Sequence, residues 1–272
     1  PSPYLNACAE FTQEHPGYRC ELNHLYYTQT TPNDPNYQGS GGTWGMQQIH
    51  ADLAWNFTTG SPQVKVAIID TGVDYNHPDL AGNISINTAE VAGNGIDDDG
   101  DGYVDDMLGY NVFDRNGDPM DLNVHGTHVA GTIGAVGNNG NGVAGVNWSV
   151  GIIPVRVLGS GGAGTLFDVA SGVDYAVARH ANVINLSLGG SFASSILEDA
   201  LRRANDAGIL VVVAAGNDGM NNDTSSSYPA NCDLPNIISV AASTQYDELA
   251  SFSNYGASKV HLAAPGSSIL ST

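Results

Sequence analysis

The 272-residue sequence is poor in basic residues and has no long apolar run. It has 8 Lys and Arg against 28 Asp and Glu, which gives a formal net charge of −20. A surface this negative repels phosphate backbones, so the composition argues against nucleic acid as a partner. No apolar run approaches the ~20 residues that a membrane-spanning helix needs, which argues against a membrane protein. The composition predicts a globular protein with one large domain or two small ones.

Cysteine is also scarce, with Cys8, Cys20 and Cys232 as the three examples. Their spacing is not the Cys-x-x-Cys pattern of zinc and redox sites, so a disulfide is the more economical interpretation. Cys8 and Cys20 can close a short loop. Cys232 is then left over, either as a buried thiol or as a thiol that awaits a partner outside the chain.

Aspartate is in excess, with 22 of the 28 acidic residues, and six of them fall within residues 97–106. The order of carboxylates, a glycine at 102 and a carbonyl at 103 matches the first half of an EF-hand calcium loop. Position 12 of that loop is Leu108 instead of Glu, so Asp105 or Asp106 would close the shell instead. Six carboxylates this close repel one another without a cation, and a solvated acidic loop is the weaker alternative. The sequence therefore predicts Ca²⁺, with the ligands Asp97, Asp99, Asp101, Tyr103 and Asp106.

Short apolar, β-branched runs predict five buried strands, at 64–69, 152–158, 183–188, 210–215 and 237–242. Helical segments at 169–179 and 201–205 lie between them. Thr165 with Asp168, and Ser195 with Glu198, have the spacing of capping boxes at the helix starts, and Gly208 ends the second helix. This alternation predicts an α/β fold, a twisted parallel sheet with helices on both faces.

The carboxyl ends of parallel strands are where such sheets place their chemistry. Asp70 directly follows the first predicted strand, and 187–190 and 216–217 follow the third and fourth. His125 opens a helix of small residues. An Asp beyond a strand and a His at a helix start can meet at this edge. They would then act as the orienting acid and the base of a serine-type nucleophilic mechanism.

Three motifs in this order resemble those of the subtilisin-like serine peptidases, the subtilases. They are Asp-Thr-Gly-Val at 70–73, His-Gly-Thr-His-Val-Ala-Gly at 125–131 and Ala-Gly-Asn at 215–217. The resemblance covers roughly 33–272 and implies a secreted endopeptidase that acts on proteins or peptides. It implies that Asp70 and His125 belong to an Asp/His/Ser triad and that Asn217 lies in the oxyanion hole. Because the family motif assigns catalysis to its first His, the resemblance implies that His128 is structural. The substrate would bind as an added strand against Gly162, Ala163, Gly164, Ser187, Leu188, Gly189, Gly190, Ala215 and Gly216.

The sequence departs from the family at the nucleophile. Subtilases continue past an Ala-Pro-Gly segment, here 264–266, to a Gly-Thr-Ser-Met-Ala motif, which this sequence does not contain. We expect the nucleophilic Ser to lie beyond residue 272, on a C-terminal segment of the domain that would be a partner of this chain. Ser267, Ser268 and Ser271 lie in a loop and are not candidates. One alternative is a non-catalytic peptide-binding member of the family, marked by Ala or Gly at the nucleophile position. The other is an inactive fragment.

The first 60 residues have several prolines and a Gly-rich stretch at 39–42, which predict an irregular arm. Residues 18–27 resemble the end of a subtilase propeptide, and 32–35 resemble the start of a mature domain. We therefore divide the chain into 1–32, an N-terminal extension or propeptide remnant, and 33–272, the peptidase domain. An ordinary arm closed by Cys8 and Cys20 is the alternative. Further calcium sites are considered at Asp114, Asp118 and Asp121, or at 138–141, which resembles a calcium loop of some subtilases.

Overall fold

The computed structural model describes residues 3–21, 30–38 and 43–272. In these ranges, seven strands form one sheet in which every paired neighbour is parallel. The strands are β1 (Gly60–Asp70), β2 (Tyr110–Asn111), β3 (Ser149–Arg156), β4 (Val183–Leu186), β5 (Leu210–Ala214), β6 (Ile237–Ser243) and β7 (Leu262–Pro265). Their order across the sheet is β2-β3-β1-β4-β5-β6-β7. The predicted parallel α/β sheet is confirmed, with two short strands, β2 and β7, that the apolar pattern missed.

Helices cover both faces of the sheet. Among them, α5 (His125–Gly134), α6 (Leu166–Ala178) and α7 (Ser195–Asp206) contact its strands. The described ranges also contain α1 (Pro3–Glu14), α2 (Pro35–Gln38), α3 (Trp44–Gln48) and α4 (Ala51–Trp55), with a 3-10 turn at Ala81–Asn83. Val173 of α6 and Leu201 of α7 share one buried cluster with Ile69. On the opposite face, Ala130 of α5 packs with Ile68. Alternate residues of β1 thus face opposite cores, which explains why this strand is apolar throughout.

Local sequence signals set the helix ends. At α6, the Thr165 hydroxyl accepts from the Asp168 N–H at 3.2 Å, and the Asp168 carboxylate accepts from the Thr165 N–H at 3.1 Å, so this capping box is confirmed. At α7 the prediction was wrong by one residue. Ser194 is the extended N-cap, and its hydroxyl accepts from the Leu197 N–H at 3.3 Å. Gly208 follows the C-cap with φ +75°, a conformation that glycine adopts without strain.

The arm is more regular than predicted, since α1 to α4 all lie in it. Tyr37, Met46 and Trp55 bury their side chains together, and the Trp55 indole donates to the Val146 carbonyl at 2.9 Å. Aromatic burial on short helices gave no sustained period, which is why the pattern was missed. No helix in the described ranges has both the length and the apolar character to cross a membrane.

Cys8 and Cys20 are bonded, with their Cα atoms 5.0 Å apart, and this one pair is compatible with the predicted disulfide. Cys232 is a half-buried free thiol, and burial raises its pKa to about 11. Residues 22–29 lie outside the described residues, and they include most of the segment 18–27 that resembles a propeptide end. The Gly-rich stretch at 39–42 also lies outside the described residues.

Candidate active site

Asp70 and His125 meet at the carboxyl edge of the sheet. Asp70 ends β1 and is fully buried, whereas the His125 side chain is 50% exposed at the first position of α5. The Asp70 Oδ1 lies 2.7 Å from the His125 Nδ1 and also accepts the Thr71 N–H at 2.7 Å. Because a carboxylate only accepts, the imidazole proton lies on Nδ1, which leaves Nε2 able to act as a base.

The electrostatics of the pair favour a charged imidazole. The hydrogen bond to Asp70 raises the pKa of His125, partial burial opposes the rise, and the charges of Asp70 and Asp121 add to it. The Asp70 Oδ2 is buried and has no hydrogen-bond partner within the described part of the chain. An imidazolium at His125 would therefore compensate an otherwise unpaired buried charge.

Close backbone packing brings α5 to β1. A Cβ on Gly126 would overlap the Gly72 carbonyl, so only glycine lets the helix start sit against this turn. Val124, the residue before His125, has φ +87°, a backbone conformation that β-branched residues rarely adopt. The start of α5 is thus held in place at the cost of local strain.

Asp121 braces this strained segment. Its carboxylate accepts the N–H groups of Asn123, Val124 and Thr127 at 2.8 to 3.1 Å. It also accepts the hydroxyls of Thr127 at 2.6 Å and Thr71 at 2.9 Å. Partial burial raises the pKa of Asp121, but these hydrogen bonds outweigh burial and hold the pKa below its ordinary value. A charged Asp121 therefore links the turn after Asp70 to the start of α5.

A cavity of about 470 Å³ opens beside His125. The predicted substrate segments 162–164 and 187–190 both line it, together with Phe192 and Tyr228. Gly190 is fixed to Tyr228 by two backbone hydrogen bonds of 2.8 and 2.9 Å. The structure thus brings the two predicted segments and His125 to one cavity.

Asn217 lies past the end of β5, after Ala215 and Gly216, and its side chain is exposed. It lines a second cavity of about 430 Å³, shared with Gly216 and with the 187–190 segment. Its carboxamide makes no hydrogen bond to any residue that the structure describes. The 187–190 segment therefore separates the cavity of His125 from the cavity of Asn217, and both open at the same edge of the sheet.

No serine hydroxyl among the described residues contacts His125. The Ser271 hydroxyl donates to the His128 carbonyl at 2.7 Å, and the His128 Nε2 lies 3.1 Å from the Ile269 carbonyl. His128 thus packs against the last residues of the chain instead of joining Asp70, which agrees with a structural role.

The acidic loop holds three of its predicted ligands together. Asp97, Asp99 and Asp101 each have a carboxylate oxygen within 4.8 Å of the other two. The Asp97 carboxylate accepts the N–H groups of Gly100 and Gly102 at 2.7 and 2.9 Å, which curls the loop inward. Burial raises the pKa of Asp101 to about 6, the Tyr103 N–H opposes the rise, and the charges of Asp106, Asp99 and Asp97 add to it. A cation would relieve this repulsion.

Asp106 does not join that group of three, and its role as the closing ligand stays a prediction. Its Oδ2 is 3.0 Å from the Arg179 guanidinium and accepts the Tyr175 hydroxyl at 2.7 Å, all within the core. Arg179, which the spacing argument did not consider, supplies the positive charge that this carboxylate needs. Glu90 and Asp99 complete a second group around Asp106, and Glu90 gave no signal in the sequence.

The predicted set at Asp114, Asp118 and Asp121 is dispersed. Asp114 pairs with Arg156 at 3.2 Å, Asp118 accepts the Tyr75 hydroxyl at 2.9 Å, and Asp121 is occupied at α5. Each carboxylate has its own protein partner, so nothing draws the three to a common cation.

The loop at 138–141 encloses two buried aspartates that sequence reasoning missed, Asp34 and Asp79. Asp34 accepts the Asn138 N–H at 2.6 Å, and Asp79 accepts the Asn139 carboxamide at 2.8 Å and the Val143 N–H at 2.9 Å. The Asp34 Oδ1 is buried without a partner in the described ranges. Burial raises the pKa of Asp34, backbone N–H donors oppose the rise, and the charge of Asp79 adds to it. The loop thus surrounds two carboxylates that form no ion pair with any described Lys or Arg.

The fold and the paired Asp and His define an α/β protein with an acid–base pair at the carboxyl edge of a parallel sheet. A family model described as the subtilase family matches residues 61–272, and the chain belongs to that family. It is 43% identical over 252 residues to a thermophilic serine proteinase of Bacillus sp. strain AK1, covering 93% of this chain and 55% of that protein. It is 41% identical to an extracellular protease of Xanthomonas campestris, covering 93% of this chain and 45% of that protein.

A solved protease structure from Pseudoalteromonas arctica PAMC 21717 matches with a TM-score of 0.68 and 34% identity, covering 87% of this chain and 73% of that one. The subtilisin-like fold expected from the motifs is therefore confirmed. The chain spans about half the length of the two relatives from Bacillus and Xanthomonas.

Proposed function

We propose that this protein is a secreted, calcium-stabilised serine endopeptidase that hydrolyses peptide bonds in proteins. The observation that carries the proposal is the 2.7 Å contact between buried Asp70 and His125, placed beside a cavity that a peptide can enter. Membership of the subtilase family supports peptidase chemistry. Secretion is supported by the disulfide, since disulfides persist in oxidising compartments, and by the name of the Xanthomonas relative.

In the proposed mechanism, His125 takes the proton of the attacking Ser hydroxyl on Nε2 and later gives it to the leaving amine. Asp70 holds the imidazole by accepting its Nδ1–H and stabilises the imidazolium that forms. The exposed Asn217 carboxamide donates to the oxyanion of the tetrahedral intermediate. The substrate lies between the 162–164 and 187–190 segments as an added strand, with Ala215 and Gly216 beside its cleavage site.

The nucleophile, in this proposal, is a serine outside residues 1–272. The support is that no described serine contacts His125 and that no Gly-Thr-Ser-Met motif occurs in the sequence. The peptidase domain is assigned to 33–272 and that further segment, while 1–32 is an extension or a remnant of the protein's own propeptide.

Calcium is proposed at two places, and its role is structural. At the acidic loop, Asp97, Asp99 and Asp101 fit a cation because their carboxylates converge and repel. The Tyr103 carbonyl is retained as a ligand. At 138–143, buried Asp34 and Asp79 fit a cation because one buried oxygen has no protein partner. Bound Ca²⁺ supplies positive charge to oxygen ligands, which would hold these surface loops against unfolding and self-digestion.

The test is a fluorophosphonate probe, which labels activated serines, applied to the protein produced from its complete gene. We expect the wild type to hydrolyse casein and to gain the mass of one probe on a peptide outside residues 1–272. His125→Ala abolishes both results because the serine loses its base, whereas His15→Ala, in the exposed arm, retains both.

Three other outcomes would each contradict part of the proposal. A label within residues 1–272 would show that the nucleophile is misplaced. Labelling that survives His125→Ala would remove His125 from the mechanism. A wild type that binds casein peptides without labelling or hydrolysis would favour the alternative, a non-catalytic peptide-binding protein.

A further inference from the structure

One buried side chain from a distant part of the chain forms hydrogen bonds to the loop that carries Asn217. Asn254, which follows β6 by eleven residues, is 1% exposed. Its Oδ1 accepts the N–H groups of Asp218 and Met220 at 2.9 and 3.0 Å. Its Nδ2 donates to the Ala215 carbonyl at 3.2 Å. The carboxamide therefore bonds to the backbone before and after Asn217.

The backbone of Asn254 adds a further contact, because its N–H donates to the Gly216 carbonyl at 2.9 Å. Gly216 has φ +118°, and a Cβ there would overlap the Asn254 carboxamide. The glycine before Asn217 is thus required both by its conformation and by the proximity of Asn254.

Asn222 completes the network from the other side. It is also 1% exposed, its Nδ2 donates to the Ala215 carbonyl at 2.8 Å, and its Oδ1 accepts from the Asn254 Nδ2 at 3.0 Å. All four hydrogen-bonding positions of the Asn254 carboxamide are consequently used. A buried carboxamide whose hydrogen bonds are all made is rigid and fixes one arrangement of the groups it joins.

We propose that Asn254 is a positioning residue for catalysis: by fixing the backbone on both sides of Asn217, it preorganises the Asn217 carboxamide to donate to the oxyanion. This inference rests on the proposed peptidase function. Asn217 makes no hydrogen bond of its own to the described residues, so its direction depends on the backbone that carries it. A donor that is already aimed needs no reorganisation as the oxyanion forms, which is why its placement affects kcat more than substrate binding.

The experiment is a double-mutant cycle between Asn254→Ala and Asn217→Ala in the protein from the complete gene, with kcat and KM measured on a peptide amide substrate. Loss of an oxyanion donor costs on the order of 10²- to 10³-fold in kcat, and we expect this of Asn217→Ala. We expect Asn254→Ala to lower kcat by roughly 10- to 100-fold with KM nearly unchanged. Once the Asn217 carboxamide is absent, its orientation no longer affects the reaction. The double variant should therefore have the same kcat as Asn217→Ala alone.

Two further variants separate positioning from general stability. Asn231 supports the same network, since it donates to the Asn222 carbonyl at 2.7 Å, but it bonds to none of residues 215–220. Asn231→Ala should therefore lower the melting temperature with kcat unchanged. Asn254→Ser supplies a hydroxyl that can replace part of the hydrogen bonding of the carboxamide. Its kcat should lie between those of wild type and Asn254→Ala, which keeps the test valid if the alanine variant folds poorly.

One outcome would overturn this inference and leave the proposed function intact. In it, wild type hydrolyses the substrate and Asn217→Ala is slow, but the fold-losses in kcat of Asn254→Ala and Asn217→Ala multiply in the double variant. The inference is also overturned if Asn254→Ser and Asn254→Ala leave kcat unchanged, or if Asn231→Ala lowers kcat as much as they do. A wild type without hydrolysis would overturn the proposed function and this inference together.

Discussion

Aspartate is used in opposite ways at the end of β1 and in the acidic loop. Asp70 is a single, fully buried carboxylate that contacts the imidazole of His125, the first residue of α5. Asp97, Asp99 and Asp101 are partly exposed, close to one another, and pair with no described Lys or Arg. The first arrangement compensates its charge with a protein group, whereas the second has the geometry to accept a cation from solution.

The difference indicates which free energy each region controls. A carboxylate that orients a base acts on the barrier to reaction, and its framework of close glycine packing holds without a metal. Clustered carboxylates act on the stability of the loop, because a bound cation would relieve the repulsion that neighbouring carboxylates exert on Asp101. Substitutions in the two regions should therefore separate activity from calcium-dependent stability.

The largest expected effect is that of Asp70→Asn on kcat. The amide has the same shape but favours the imidazole tautomer with its proton on Nε2, so His125 cannot accept the serine proton. We expect a loss of about 10⁴-fold in kcat, with calcium affinity by isothermal titration unchanged. A variant that loses calcium affinity in parallel with kcat would show that the two regions are not independent.

The next largest effect is that of calcium removal on stability. In a His125→Ala background, which prevents self-digestion, Ca²⁺ at one hundred times its Kd stabilises by about 2.7 kcal/mol per site. For a chain of this size that is a rise of roughly 5 to 10 °C in the melting temperature. We expect Asp99→Asn and Asp34→Asn each to remove part of the rise, while Asp199→Asn, exposed on α7, keeps all of it.

The melting temperature without metal distinguishes the two proposed calcium sites further. With EDTA, Asp34→Asn should melt at or above the temperature of its parent, because it removes a buried charge whose Oδ1 has no protein partner. If this variant instead melts lower in EDTA and keeps the full calcium-dependent rise, Asp34 is satisfied by the protein and binds no metal.

Much of the fold could be predicted from local patterns. Apolar runs located five of the seven strands, since buried parallel strands need apolar side chains on both faces. The strand-end rule led to Asp70 because the strand and the polar residue are adjacent in sequence. What local patterns could not supply was contact between distant segments: Asp34 with the 138–143 loop, Arg179 with Asp106, and Asn254 with the residues around Asn217. Nothing in the composition or period around those positions indicates which segment the fold brings to them.

Asp121 likewise contacts a distant segment, the turn after Asp70, and its substitution should have the smallest effect. Its charge contributes to the raised pKa of His125, after the larger contribution of Asp70. Because the base must be neutral, activity rises with pH through that pKa, and the acidic limb of kcat/KM lies above the ordinary pKa of histidine. Asp121→Asn removes one charge, so the limb should move to lower pH, by less than in Asp70→Asn.

Asp121→Asn should also reduce the pH dependence of folding stability that comes from His125. His125 with a raised pKa stabilises the fold below its unfolded pKa, and this contribution is lost as pH rises through the folded pKa. Asp121→Asn should reduce this stabilisation at low pH. Because Asp121 also bonds to Thr71 and Thr127, the variant should lower kcat on the alkaline plateau, by no more than about tenfold, or ~1.4 kcal/mol. Asp118→Asn, an exposed charge nearby that contacts neither threonine, is the matched control. If it shifts the limb as far as Asp121→Asn, the effect reflects the −20 charge of the whole molecule, and Asp121 has no specific link to His125.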